Sequence, residues 1–469
     1  MRLNQYVASA ALMALTLSAC GDDDPVNNVI EPEQPGNEQP ATPEEPEQPT
    51  VSEVSGEVEG IWTKGSTIQV KGHLVVPAGK SLTIEEGVQV IFDEQGVGAN
   101  HVPIEFTVDG KLYCQGTAEQ PVLFSVAESS RTEANTFAGL WGGIVASATC
   151  EELLIDHAVI EYTGGQVVEG SPAATQGVYT AGDDAYPQIT TNNIDGRYVV
   201  TNSILRNGWS DGIYLMGGQA IIANNIFAAN GYDGAEAVNV KAGCVADVAG
   251  NLMFSPNTNG LKLSSSGQSE TRGMAKINAY NNTIINAGWR RDGEKGGCVY
   301  VEKNALVNVI NNMMVNCKFR AMTPKFSQPD DPEAGYSSAS VIDYNYYVSG
   351  SQRSEIVFEE ESGVAYAWEG YNYDHKYYNT GVVDAHSVIA TESDAKDPSF
   401  VNFDINAVAL TNYVLDEAWD FHLKAGSAAL TGAYSGSDLA PYFAGGLTVN
   451  GQSFTSPAVQ PQFGAYGTK

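Results

Sequence analysis

Helical spacing is missing from this 469-residue chain, whose apolar residues fall in short runs broken by polar loops rather than at intervals of three and four. That argues against a helical fold. Cations are scarce: 24 Lys and Arg stand against 56 Asp and Glu, a net charge of −32, which speaks against nucleic acid or anionic lipid as the main partner. Cysteine is also rare, with 6 residues and no CxxC pair. His73, His101, His157, His386 and His422 show no ligand spacing and read as structural, so no metal site is expected from them. Long apolar runs are confined to VASAALMALTLSA near the start, which is too short to span a bilayer.

That run follows a single cation, Arg2, and residues 1–19 read as an export signal. Leu17-Ser18-Ala19-Cys20 resembles a bacterial lipobox, which implies lipidation of Cys20 and attachment to a membrane through acyl chains; the alternative is an ordinary signal peptide with a chance cysteine. The following Gly21-Asp22-Asp23-Asp24 is similar to the acidic tract of surface-exposed lipoproteins of Bacteroidetes-type bacteria, implying the outer membrane and the cell surface. Residues 20–60, rich in Pro and Glu and poor in aromatics, cannot bury enough apolar surface to offset their ordering entropy and read as a tether. Cys114, Cys150, Cys244, Cys298 and Cys317 remain, and are read as buried small hydrophobes in preference to disulfides or metal ligands.

What the chain has in abundance is a recurring asparagine. VTNSIL, IANNIF, VAGNLM, AYNNTI, VINNMM and DYNYYV align to a column of Ser203, Asn225, Asn251, Asn282, Asn312 and Asn345, with spacings of 22, 26, 31, 30 and 33. LLIDHAVIEY fits the same frame with Ala158 in the column, 45 residues before Ser203, so a hidden turn or a large insertion lies between. Each column residue sits between two strand-like runs. Units of this size, built from short strands and polar loops, form solenoids in which each rung buries its inner face on its neighbours. Equivalent residues then lie about 4.8 Å apart, close enough for one Asn amide to donate to the next. The reading is an all-β, single-stranded parallel β-helix with an Asn ladder.

These features resemble the right-handed parallel β-helix proteins, the pectate-lyase-like architecture shared by many polysaccharide lyases, glycoside hydrolases and bacterial surface proteins. VVPAGKSLTIEEGVQVIF and GLWGGIVASA are similar to their N-terminal rungs, and DPSFVN with DFHLKAGSAALTGA to their closing segment. The domain reading is therefore a β-helix over 61–433 and a C-terminal segment, 434–469, packed on or extending from the last rungs.

A further strand precedes each column strand: GIYL, AVNV, GLKL, CVYV and, less clearly, FRAM. Alternation sends Tyr214, Asn239, Lys262, Tyr300 and Arg320 outward, one above another. Neighbouring loops add Trp209, Asp211, Tyr232, Asp233, Trp289, Arg290 and Arg291, and residues 262–325 hold ten cations against four anions, a local excess of six. Aromatic faces and Arg forks suit an extended, acidic or neutral polysaccharide, although solvated loop charges would give the same excess. Members of the resembled lyases bind substrate along the corresponding strand face. Lyase chemistry on a uronic acid polymer would draw on Lys262, Arg320, Tyr214 and Tyr300, and hydrolysis on Asp211 with Asp233. The paired-Asp and GHG motifs of β-helix polygalacturonases are absent, as is the Arg-x-x-Pro-x-x-Arg pattern of pectate lyases. Asp183-Asp184, inside a Gly, Thr and Ala-rich insertion at 163–197, offers oxygens for Ca²⁺ or is simply solvated. YAWEGYNYDHKYYNTG, 366–381, either closes the groove or packs on the last rungs. Glycan binding leads; a lyase and a non-catalytic adhesive or architectural rod are the alternatives.

Overall fold

The computed structural model describes residues 50–292, 296–318, 330–332, 335–348, 350, 357–360, 363–366, 384–390 and 396–469. Cys20, Arg320, the 366–381 segment beyond Tyr366, the export signal and most of the tether lie outside the described residues. The chain winds as a right-handed parallel β-helix with three strands per rung. One full rung shows the pattern. Gly218–Ala223 belongs to the first sheet, Ile226–Asn230 to the second and Val238–Val240 to the third, and Cys244–Ala249 then returns to the first sheet, pairing in parallel with Gly218–Ala223. Among the described residues ten strands stack this way in the first sheet, from Gly60–Trp62 to Val341–Ile342. At the N-terminal end the long strand Thr67–Val76 serves both the second and the third sheet.

Two residues make the corner between the first and second sheets. The first takes a left-handed conformation: Asn202, Asn224, Asn281 and Asn311 have φ between 49° and 58°, and Gly250 fills the same place at 67°. The second is the ladder residue. Asn225, Asn251, Asn282 and Asn312 each donate Nδ2 to Oδ1 of the next, ending on Asn345, at 2.9–3.1 Å. Serines finish both ends, since Ser203 Oγ accepts the Ala158 N–H at 3.0 Å and Ser387 Oγ accepts that of Asn345 at 2.8 Å. The doubled asparagine thus divides the work, one residue turning the chain and the other satisfying the buried polar groups that the turn creates. The direct Ala158–Ser203 bond also shows that one rung with a large insertion, and no hidden turn, separates them.

Inside the coil, alternate residues point inward and are fully buried, as with Ile213 and Leu215, Val238 and Val240, Leu261 and Leu263, and Val299 and Val301. A rung cannot bury this face alone, so stacking supplies the hydrophobic gain.

Three boundaries differ from the sequence reading. The β-helix begins earlier than 61, because Val51–Glu57, which its glutamates assign to the tether, pairs in parallel with Thr67–Val76. The insertion ends earlier than 197, because Ile189–Thr191 is a third-sheet strand paired with Ile213–Leu215, its threonines concealing the alternation. The closing segment is no rung: Phe400–Asn402 and Asp420–Leu423 form an antiparallel pair, and Phe403, Phe421 and Leu423 cover the outer side of the second sheet against Phe254, Val315 and Tyr346. Residues 434–469 start on the last rungs, where Tyr434 packs with Ile310 and Val341, and then run back over the first sheet, laying Phe443, Leu447 and Val449 on Tyr113, Leu154, Val199 and Ile221 of lower rungs. Asp247 pins this return by accepting the N–H groups of Tyr442 and Phe443 at 3.1 and 2.9 Å and the hydroxyl of Ser456 at 2.6 Å. Two of the three outer faces are therefore packed against the chain's own C-terminal residues.

The cysteines also divide. Cys114, Cys150 and Cys244 are buried as expected, their thiol pKa values raised by burial, that of Cys244 to about 12. Cys298 and Cys317, read as hydrophobes, are instead joined in a disulfide with Cα atoms 5.7 Å apart. Neighbouring turns bring them together although 19 positions separate them in the chain.

Candidate functional site on the third sheet

The third sheet keeps an outer face whose upper rungs carry chemistry. Tyr214 pairs in register with Asn239, Asn239 with Lys262, and Lys262 with Tyr300, so the expected outward column stands as one row. A second column runs along its leading edge. Asp211, Glu236 and Asn259 each sit two residues before the first inward residue of successive strands, Ile213, Val238 and Leu261. On the trailing edge, Ser264 pairs with Glu302, and continuing the register one residue beyond Val240–Leu263 sets Lys241 beside Ser264.

Hydrogen bonds tie the columns together. The Glu236 N–H donates to Asp211 Oδ1 at 2.6 Å, and Asn239 Nδ2 lies 3.3 Å from Asp211 Oδ2 and 3.2 Å from Glu236 Oε2, bridging the two carboxyls. Asn259 Nδ2 donates to Glu236 Oε1 at 3.0 Å. Across the row, Lys262 Nζ is 3.5 Å from Glu302 Oε1 and 5.6 Å from the centre of the Tyr300 ring, while Lys241 Nζ lies 5.2 Å from that of Tyr214. Burial and crowding shift Asp211, Lys241, Lys262 and Tyr300 from their ordinary values. Burial and the adjacent Glu236 carboxylate push the Asp211 carboxyl well above its ordinary range. Lys241 is held below the usual lysine value by burial and by the Lys262 charge. For Lys262 burial acts downward, but Glu236, Glu302 and Asp211 together outweigh it and its pKa is raised. Tyr300 rises to about 12 through burial and Glu302. Such an arrangement can hold a proton between two carboxyls while presenting cations and ring faces beside them.

Several polar atoms here have no protein partner. Asn239 Oδ1, Asn259 Oδ1 and Thr258 Oγ1 are buried without a hydrogen bond among the described residues. Buried polar atoms are ordinarily paired, so these three are exceptions clustered along the row.

Other predicted residues fall elsewhere. Trp209 and Tyr232 meet with ring centres 4.6 Å apart, and Phe137 and Tyr413 join them in a small aromatic ledge from which Tyr232 projects, 55 % exposed. Trp289 does not present its ring to solvent: it is buried and donates its indole N–H to the Asn316 carbonyl. Arg290 is likewise internal, giving its guanidinium to the carbonyls of Asn230, Gly231 and Ser255 and lying over Phe137; burial lowers its pKa to about 10. Arg291 pairs with Asp233, whose side chain is 80 % exposed, so the Asp211–Asp233 pairing considered for hydrolysis does not form; the partner of Asp211 is Glu236. Nor is the local excess of cations an open basic strip. Arg272 bonds to Asn192 and to the Met216 carbonyl, Lys318 is buried against the Arg291 carbonyl, and Lys276 projects from the first sheet. Asp183 and Asp184 lie in an exposed turn, and among the described residues no three His, Cys, Asp or Glu side chains gather as a metal site would require. Glu236 and Lys241 were not picked out from sequence. Glu236 carried a signal, the place it shares with Asp211 in the rung.

Comparison with known proteins agrees with this architecture over part of the chain. Residues 55–170 match the family model described as a pectate-lyase-like β-helix domain. That stretch is similar to the family and ends before the site. No curated protein and no solved structure matches the chain.

Proposed function

We propose that the protein is a cell-surface lipoprotein, anchored in the outer membrane through Cys20, whose third-sheet face binds a polysaccharide. The observation that supports this most is the row Tyr214–Asn239–Lys262–Tyr300, in register and edged by Asp211, Glu236 and Asn259. A straight row with a repeat of about 4.8 Å suits a linear polymer, and its mixture of ring faces, amides, carboxyls and ammonium groups suits sugar hydroxyls and acidic substituents. Similarity of the N-terminal rungs to a pectate-lyase-like domain agrees with a polysaccharide-related role. The Cys298–Cys317 disulfide suits an oxidising compartment outside the cytoplasm.

The test is a glycan array probed with the unaltered protein and with Tyr214→Ala and Lys262→Ala, neither of which interrupts the core. Binding that weakens about tenfold in each variant, roughly 1.4 kcal/mol, supports the site; no bound glycan, or undiminished binding in both variants, removes it. For the anchor, Cys20→Ala should move the protein from the membrane to the soluble fraction, and unchanged membrane association would defeat it.

A second reading, acid–base chemistry on the bound polymer, is favoured by Asp211 and Glu236 lying together beside Lys241. Incubation with acidic polysaccharides, with and without Ca²⁺, and monitoring of unsaturated products tests a lyase; an unchanging absorbance would exclude it for those substrates.

A further inference from the structure

The outer face of the third sheet changes character between two consecutive rungs. Thr107, Val145 and Thr190, the outward residues of the three rungs below Tyr214, are completely buried, whereas above them Tyr214, Lys262 and Tyr300 are partly open and Asn239 alone is buried, at 4 % exposure. The cover is the insertion that links Ala158–Glu161 of the second sheet to Ile189–Thr191 of the third. In the next rung the same link is only the four residues between Gly208 and Ile213.

The insertion is fastened rather than draped. Val167, Ala173 and Tyr186 pack on Val145. The buried Glu105 carboxylate collects the Tyr186 hydroxyl at 2.7 Å, the Ala173 N–H at 2.8 Å and the Thr107 hydroxyl at 2.6 Å, linking the insertion to the lower rungs. Tyr179 forms the upper boundary: its hydroxyl is 2.6 Å from Thr190 Oγ1, and its ring lies 6.3 Å from that of Tyr214. A polymer lying along the row therefore meets a wall at Tyr179 and cannot continue down the sheet. From Tyr214, the first residue above that wall, to Tyr300 the row spans three rung spacings, about 14 Å.

We propose that the face takes a glycan by its end: the insertion at 163–187 makes this a terminus-binding site, with Tyr179 and Tyr214 against the last sugar and the chain leaving past Lys262 and Tyr300. The proposal rests on the glycan reading above and specifies which part of the polymer is recognised.

Stoichiometry measures it directly. Calorimetric titration of the unaltered protein with tetra-, octa- and hexadeca-galacturonate, and with neutral glucan oligomers of the same lengths, gives the number of protein molecules held per chain. End recognition predicts one protein per chain at every length. A ratio that grows with chain length, at least doubling from the octamer to the hexadecamer, would mean binding along the chain and would overturn the proposal while leaving the glycan site intact. Failure of every oligomer to bind, together with an empty glycan array, would defeat the glycan reading and this proposal with it. A variant with Gln166–Ala185 replaced by a short Gly linker should raise the ratio on the longest bound oligomer at least twofold; an unchanged ratio in the folded variant counts against the wall. If that variant does not fold, the ratios of the unaltered protein decide alone.

Discussion

Asn225 and Asn251 are joined twice: Oδ1 of Asn251 accepts the Asn225 side-chain amide at 3.0 Å and its backbone N–H at 2.9 Å. Asn251 Nδ2 reaches back to the Ile222 carbonyl at 3.0 Å and up to Asn282 Oδ1 at 2.9 Å, so one side chain serves three rungs. Asn251→Ala strips two buried donors of their acceptor at once. A loss of about 2–6 kcal/mol is expected, from about 1–3 kcal/mol for each of the two donors left unpaired. Denaturant unfolding measures it, and a change under 1 kcal/mol would show that the ladder contributes little. Asn224→Gly, one position earlier, should be nearly neutral, because Gly250 already occupies that place in the next rung at φ 67°.

The ladder was legible in the sequence because each rung repeats the same residue at the same point of the same corner. The row on the third sheet was legible for a related reason, strict alternation around inward Val, Ile and Leu. What escaped lacked repetition. Asp211 and Glu236 occupy one rung position but differ in type and lie 25 residues apart, so they align only once the strands that follow them are registered. Arg290 gives no sequence sign of its fate, since backbone carbonyls accept its protons and every residue supplies one. The return of residues 434–469 over the first sheet depends on apolar residues that project outward, Tyr113, Leu154, Val199 and Ile221, where a solvated sheet would carry polar ones.

Cys298 and Cys317 close a short loop across the rungs at the top of the third sheet, and the bond removes conformational freedom from the unfolded chain. Reduction, or Cys298→Ser with Cys317→Ser, should lower stability by about 2–4 kcal/mol. Alkylation of the denatured, unreduced protein should leave these two cysteines unmodified while Cys114, Cys150 and Cys244 react. Alkylation of all five would show that the bond does not form.

Asp247 holds the C-terminal return with three hydrogen bonds from Tyr442, Phe443 and Ser456, and takes a fourth from Asn278 at 2.8 Å. Within the coil only the Asn278 amide depends on it, against three groups of the return. Asp247→Ala should therefore release the return before it disturbs the rungs, weakening the docking by about 3 kcal/mol or more. Hydrogen exchange would then quicken at 441–456 while the Cys244–Ala249 and Lys276–Tyr280 strands stay protected. Equal loss of protection in both regions would mean that the return and the coil unfold as one unit.

Asp211 makes the stability of the site depend on pH in a direction its environment fixes. Burial and Glu236 raise its carboxyl pKa above the ordinary 3.8, so the folded protein holds a proton that the unfolded chain releases. The stability this group contributes is complete below about pH 4, the unfolded value, and is lost as pH rises through the folded value. Asp211→Asn keeps an oxygen to accept the Glu236 N–H but has no charge to bury. The variant should match the unaltered protein at pH 4 and unfold at higher temperature at pH 8, a gain of at least about 1 kcal/mol for each unit by which the pKa is raised. Thermal unfolding at the two pH values tests this: a variant less stable at pH 8 would mean that Asp211 is ionised in the folded protein, with Lys241 and Lys262 as the charges that hold it.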